Sequence, residues 1–221
     1  MCGGYSLIAG KNTIRKRFRA EPVDFPESPD YNARPGEHLP VILNSKRDEI
    51  RPAFWGYRPH WAKPGSSKAV INARAETLAL KPYFKDSFRR RRCLVIADSF
   101  YEWKKTRSGK QPYLIGLKTD EPFAMAGLWD ENADNHGEIM PVFAIITVDA
   151  NKEMAPIHER MPAILLPELE EEWLSPKTSP QHALKLLQPY PDHKIKTFPV
   201  SKKVNSPVNN GPELHEPYLD K

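Results

Sequence analysis

The 23 prolines distributed through these 221 residues constrain the fold more than any other feature. Each proline removes a backbone donor and fixes φ, so it breaks a helix interior and is confined to the edges and bulges of a sheet. Proline usage is about twice the average for globular chains. Long helices are therefore excluded, and short strands with irregular connections are expected. Strand patterns run over Cys2–Ile8, His38–Asn44 and Ile50–Trp55, the last two joined by the polar turn Ser45–Asp48. The longest apolar strand signal is Cys93–Trp103. After a turn at Ser108-Gly109 come Gln111–Leu117, Phe123–Trp129, Met140–Val148, Ala163–Leu166 and Lys194–Ser201. Short helices are predicted after Gly10, capped by Asn12 or Thr13, and over Pro82–Phe88, Pro167–Leu174 and Pro180–Leu187. The stretch Ala20–Pro35 reads as an irregular loop, and residues 205–221 as a Pro- and Asn-rich tail. With no repeat or linker, the pattern predicts a single α+β domain over residues 1–221. Its architecture is a β-rich antiparallel sheet or open barrel with a few short helices.

Two cysteines, Cys2 and Cys93, make neither a disulfide framework nor a CxxC zinc pair. A reducing, intracellular, cytoplasmic location follows, with no metal and no cofactor expected. No apolar run is long enough for a membrane span, and the N-terminus lacks the plan of a signal peptide. The formal net charge is +5. Basic residues cluster at Arg15–Arg19 and Arg89–Arg92, apart from the acidic run Glu168–Glu172, so a basic face is predicted to be left free for phosphates.

Cys2 lies one residue from the start of the chain. Removal of Met1 would give it a free α-amine beside its thiol. The amine condenses with an aldehyde to an imine, and the thiol closes on the imine carbon as a thiazolidine. An α-amine has an ordinary pKa of about 7.7–8.0, so a useful fraction is unprotonated at neutral pH. Read alone, Cys2 is equally compatible with the plain beginning of a strand.

Other segments gather chemistry-bearing side chains. The loop Trp55–Trp61 sets Arg58 and His60 among rings that serve either as stacking surfaces for bases or as core anchors. Asn72–Thr77 is dense in hydrogen-bonding groups and suits a helix cap or a pocket lining. Glu102 lies between Tyr101 and Trp103, either facing solvent or held in a partly desolvated site. His158 and Arg160 occupy a turn bracketed by Pro156 and Pro162, where the backbone has little freedom.

Met1-Cys2-Gly3, Trp55-Gly56, Asn72–Thr77, Phe100–Trp103, His158–Pro162 and Pro199–Ser201, in that order, resemble the SOS-response-associated peptidase (SRAP) family over residues 2–214. Members of that family shield abasic sites in single-stranded DNA by crosslinking to them. The resemblance implies loss of Met1 by self-processing or an aminopeptidase, and a lyase-type crosslink through Cys2. It further implies that Asn72 orients the sugar or the cysteine backbone, Glu102 shuttles protons, and His158 protonates the sugar ring oxygen. Arg74 would bind a phosphate, Trp61 would wedge against bases, and Arg58 and Arg160 would contact DNA. The implied partner is single-stranded DNA carrying abasic sites. The implied protein is a monomer without a membrane or cofactor, associated with the nucleoid when on DNA. Three departures stand out. Gly4 replaces the arginine usual after Met-Cys-Gly, Ile96 and Ser99 replace proline and glycine, and Arg58 replaces an apolar residue. An N-terminal-nucleophile cysteine peptidase and a non-covalent single-strand binder remain as alternative readings.

Overall fold

A computed structural model describes residues 2–25, 28–62, 68–133 and 137–218. Its strands are β1 (Tyr5–Leu7), β2 (Glu21–Pro22), β3 (Asp30–Ala33), β4 (His38–Leu43), β5 (Lys46–Trp55), β6 (Asn72–Arg74) and β7 (Arg92–Ala97). They continue as β8 (Ser99–Thr106), β9 (Gly109–Leu117), β10 (Phe123–Ala133), β11 (Ile139–Asp149), β12 (Arg160–Pro162) and β13 (Ile195–Pro199). The helices are α1 (Lys11–Phe18), α2 (Pro82–Arg90), α3 (Pro167–Leu174) and α4 (Pro180–Leu186), with single 3₁₀ turns between elements. Proline occupies the first turn of α2, α3 and α4, where its missing N–H would have had no intrahelical partner.

One antiparallel sheet runs β13-β9-β8-β1-β3, and a larger one runs β12-β11-β10-β7-β4-β5-β2. In the larger sheet β5 returns to β11 in parallel register, with Phe54 opposite Val142 and Trp55 opposite Phe143. That contact closes β11-β10-β7-β4-β5 into a ring, and β6 extends the parallel edge of β11. The α+β, β-rich class with short helices is the one the sequence predicts, and the parallel pairs are its one addition. Val41, Val95, Met125, Ala144 and Phe143 pack the main core. Tyr101, Leu114, Val200, Val204 and Leu214 form a second, smaller core.

Several local expectations are corrected. The Cys93–Trp103 pattern is two strands in two sheets, broken at Asp98. The Asp98 carboxylate accepts the Ile8 and Ala9 amides, the latter at 2.9 Å, and its own N–H donates to Ser6 O at 2.8 Å. These bonds turn the chain out of the barrel and into the other sheet. Ala20–Pro35 contains β2 and β3, because parallel pairing with β5 and antiparallel pairing with β1 satisfy its backbone. Neither Asn12 nor Thr13 caps α1, which starts at Lys11 with Gly10 O accepting from Thr13 N and Ile14 N. The pairing strand near Pro162 is β12, while Ile164 makes only a bridge to Met125. The segment after Asn205 carries a 3₁₀ turn, Pro212–His215, that buries Leu214 in the second core.

Each basic run is only partly a free face: Lys16, Arg19 and Arg89 are exposed, whereas other members are paired or buried. Arg92 is fully buried, and Arg91 pairs with Asp86 at 3.0 Å. Arg17 pairs with Glu170 at 2.6 Å and Arg47 with Glu171 at 3.2 Å, so the acidic run on α3 is interleaved with cations. Among the described residues no helix is long and apolar enough to cross a membrane.

Candidate functional site

Cys2 lies at the seam between the two sheets. β1 pairs with β8 at Tyr5↔Phe100, and the alignment continues beyond the strand, with Tyr101 N donating to Gly4 O at 2.9 Å. Residues 2–4 therefore run beside the start of β8. There Tyr101 points into the second core, and by alternation Glu102 faces the opposite way. Glu102 is only 2% exposed, and its Oε2 accepts from Trp103 N at 3.4 Å. Of the two placements open to Glu102 from sequence, the desolvated one is observed.

From the barrel side, β6 presents Asn72, whose Nδ2 donates to the Cys2 carbonyl at 2.7 Å. Its Oδ1 is buried and has no hydrogen-bond partner among the described residues. The Cys2 side chain is fully buried, and its Sγ donates to Gly4 O at 3.7 Å. Burial, and then the nearby charge of Glu102, push the Cys2 thiol up to about 12. At neutral pH the sulfur is thus a thiol, and it needs a base to become a nucleophile. Met1, on which the expected processing step falls, lies outside the described residues.

His158 arrives by a different route. The β11–β12 connection is anchored by buried Met154, whose carbonyl accepts His158 N at 3.0 Å. The His158 Nδ1 accepts the Arg160 amide at 2.9 Å, so the neutral ring carries its proton on Nε2. Both this segment and Asn72 are referenced to β11, with Asn72 opposite Ile145 and Arg160 opposite Asp149. Between them Thr147 lies in register with Arg74 on one side and Pro162 on the other. Thr147 is fully buried, and its hydroxyl has no partner among the described residues. A lone threonine in an apolar strand gave no sequence signal for this position.

The expected DNA contacts divide. Arg74 is exposed at the end of β6, and Trp61 is 55% exposed, with its ring edge-on to Tyr83 at 6.3 Å. Trp55, at the other end of that loop, is a core ring stacked on Phe143. Arg58 is half-buried, and its Nε has no partner among the described residues. Arg160 is turned inward, bonding Asp149 at 2.5 Å, Glu76 at 2.9 Å and Thr147 O at 2.7 Å. It fixes the β12 end of the His158 segment, while Arg74 and Trp61 are the accessible groups. Among the described residues no three His, Cys, Asp or Glu side chains form a metal-binding group.

Fold and site together define a β-barrel protein whose near-terminal cysteine is held between an amide from one sheet and a carboxylate from the other. The model of the SOS response associated peptidase (SRAP) family matches residues 1–207, and the chain belongs to that family. Abasic site processing protein YoqW of Bacillus subtilis (strain 168) is 40% identical over 98% of this chain and 99% of its own length. Abasic site processing protein YedK of Escherichia coli (strain K12) is 35% identical over 88% of this chain and 89% of its own. A crystal structure of a protein from Bacteroides thetaiotaomicron superposes with a TM-score of 0.89 at 29% identity, covering 99% of this chain and 100% of that one.

Proposed function

We propose that the protein processes abasic sites in single-stranded DNA by joining Cys2 covalently to C1′ of the ring-opened sugar, once Met1 is removed. The observation that carries this reading is the convergence of Asn72 and Glu102 on Cys2, from two different sheets. That relatives named as abasic site processing proteins match nearly the whole chain supports the choice of substrate.

The α-amine attacks the aldehyde carbon and one water leaves, giving an imine. The thiol sulfur then adds to the imine carbon, its proton passes through a base to the imine nitrogen, and the ring closes as a thiazolidine with no further loss. A thiol whose pKa lies near 12 does not ionise unaided, so the adjacent Glu102 carboxylate takes the proton as the carbon–sulfur bond forms. Asn72 holds the Cys2 carbonyl, and its buried Oδ1 is available to accept from the freed amine and aim its lone pair. His158, with its proton on Nε2, donates to the sugar ring oxygen as the hemiacetal opens. Arg74 offers a cation to a phosphate, and Trp61 a ring to a base. An acylated nitrogen cannot form the imine, so the chain that retains Met1 is the precursor. Met1 is released either by attack of the Cys2 sulfur on the Met1 carbonyl, which frees the amine and leaves a thioester that one water hydrolyses, or by the hydrolysis an aminopeptidase performs. The protein acts as a monomer in the cytoplasm, on the nucleoid when engaged with DNA.

A denaturing gel tests the reading. Protein with a free Cys2 terminus should give a shifted species with an abasic oligonucleotide that survives denaturant. Cys2→Ala, processed to the same free amine, should give a shifted species only after borohydride reduction of the imine. Equal, reduction-independent adducts from both proteins would contradict the role given to the sulfur.

A further inference from the structure

Beside Gly4, two residues from Cys2, the structure holds a cation that the site described above does not use. Arg34 follows β3, and its guanidinium is fixed by neutral oxygens. Nε donates to Asn32 Oδ1 at 2.8 Å, and Nη2 donates to the Val204 carbonyl. Glu37, in the same turn, accepts from the backbone N–H of Arg34 at 2.8 Å rather than from its side chain. No carboxylate forms an ion pair with Arg34 among the described residues. The cradle is itself tied down, since Asn32 Nδ2 donates to Ser206 O at 3.1 Å and to Asn209 O at 2.8 Å. The C-terminal segment is thereby stitched to β3, which orients the guanidinium.

The remaining nitrogen, Nη1, stands 3.8 Å from where a Cβ on Gly4 would lie. The Gly4 carbonyl in turn receives the Cys2 thiol at 3.7 Å. A half-buried guanidinium has lost part of its hydration; its own hydrogen bonds go to neutral acceptors, and the Glu37 carboxylate acts on it without bonding it. An anion next to Gly4 would give the guanidinium a directly bonded counter-charge, and Nη1 is its nitrogen nearest that position. Resting on the crosslinking function above, we propose that Arg34 binds a DNA phosphate flanking the sugar captured by Cys2. It places a guanidinium where residue 4, a glycine, has no side chain to offer one.

Gly4 also makes the idea testable by relocation. A Cβ there would meet Tyr101 Cδ2 at 3.6 Å and Ala33 O at 3.7 Å, both ordinary contacts, so an arginine can be introduced at that position. Binding of abasic single-stranded oligonucleotide to Cys2→Ser protein, followed over a salt series, reads the number of phosphate contacts. Arg34→Gln should reduce the slope of log K against log salt by about 0.7. With Cys2 intact, it should raise the DNA concentration for half-maximal crosslinking about tenfold. Adding Gly4→Arg to Arg34→Gln should recover both quantities. An unchanged slope in Arg34→Gln overturns the proposal, and so does a loss that Gly4→Arg leaves unrecovered, which marks Arg34 as a structural clamp. Failure of the crosslinking reading is distinguishable, because the salt slope is measured without Cys2 and reports on Arg34 even where no adduct forms.

Discussion

In the proposed reaction Asn72 and Glu102 act on Cys2 from different sheets, and their substitutions should separate positioning from proton transfer. Asn72→Ala removes the 2.7 Å bond to the Cys2 carbonyl, a loss of about 1 kcal/mol in orientation, and should slow crosslinking roughly tenfold. Glu102→Gln keeps shape and burial but removes the proton acceptor, and should slow crosslinking by about 10²–10⁴ with no loss of melting temperature. Single-turnover rates on a short abasic oligonucleotide check both. Cys2, Asn72, Glu102 and His158 were singled out in the sequence by the resemblance of their motifs to the SRAP family, and of these the structure joins Asn72 to Cys2 by a hydrogen bond. The burial of Glu102 was not legible, since rings at both Tyr101 and Trp103 leave the alternation ambiguous. Arg34 was invisible for a different reason. It lies in a Pro-rich stretch without periodicity, and its approach to Gly4 arises from the pairing of β1 with β3.

At the level of elements, two buried charges fix the connections between strands, helices and loops. Asp130 on β10 is 1% exposed and accepts the His60 amide at 3.0 Å, His60 Nδ1 at 3.0 Å and Ser87 Oγ at 3.4 Å. It pins the loop that ends in Trp61. Trp61→Ala should weaken single-strand binding by roughly 1–3 kcal/mol while leaving stability unchanged. Asp130→Ala should weaken binding through the same ring and also lower stability by about 3 kcal/mol, as read by fluorescence titration and urea unfolding. Arg92 donates to the carbonyls of Trp173 at 2.6 Å, Phe88 at 3.1 Å and Ser175 at 2.6 Å, joining the ends of α2 and α3. Arg92→Lys offers one ammonium in place of a planar fork and should still cost about 3 kcal/mol in urea. As a sequence, Arg89–Arg92 read as one basic face. What divides it is helix geometry, since α2 ends at Arg90 and β7 begins at Arg92.

Across the whole molecule, burial holds thiols, phenols and one imidazole in their neutral forms. Burial raises Cys2 and Cys93, and likewise Tyr5, Tyr57 and Tyr101. Unfolded, the thiols begin to ionise near their ordinary value of 9.0, whereas folded they do not. The unfolded chain therefore binds fewer protons above that pH. Stability is fully present below about pH 9 and falls above it, by about 1.4 kcal/mol per pH unit for each fully buried group that titrates. On the acid side, burial lowers His215 from its ordinary 6.5 to about 4, so its contribution is present above 6.5 and lost as pH falls toward 4. Melting temperatures across pH 4–11 should show a plateau with a steep alkaline limb, and a flat profile above pH 9 would contradict the burial of these groups. The proline-limited strands and short helices foretold the β-rich class, but not the closure of the barrel. That closure rests on β5 meeting β11 in parallel, a pairing between segments far apart in the chain. Covalent capture through Cys2 is read by the intact mass of the protein after incubation with abasic single-stranded DNA. One species should form without reductant, equal to protein without Met1 plus oligonucleotide less one water. A free Cys2 terminus that leaves protein and oligonucleotide at their separate masses would contradict it.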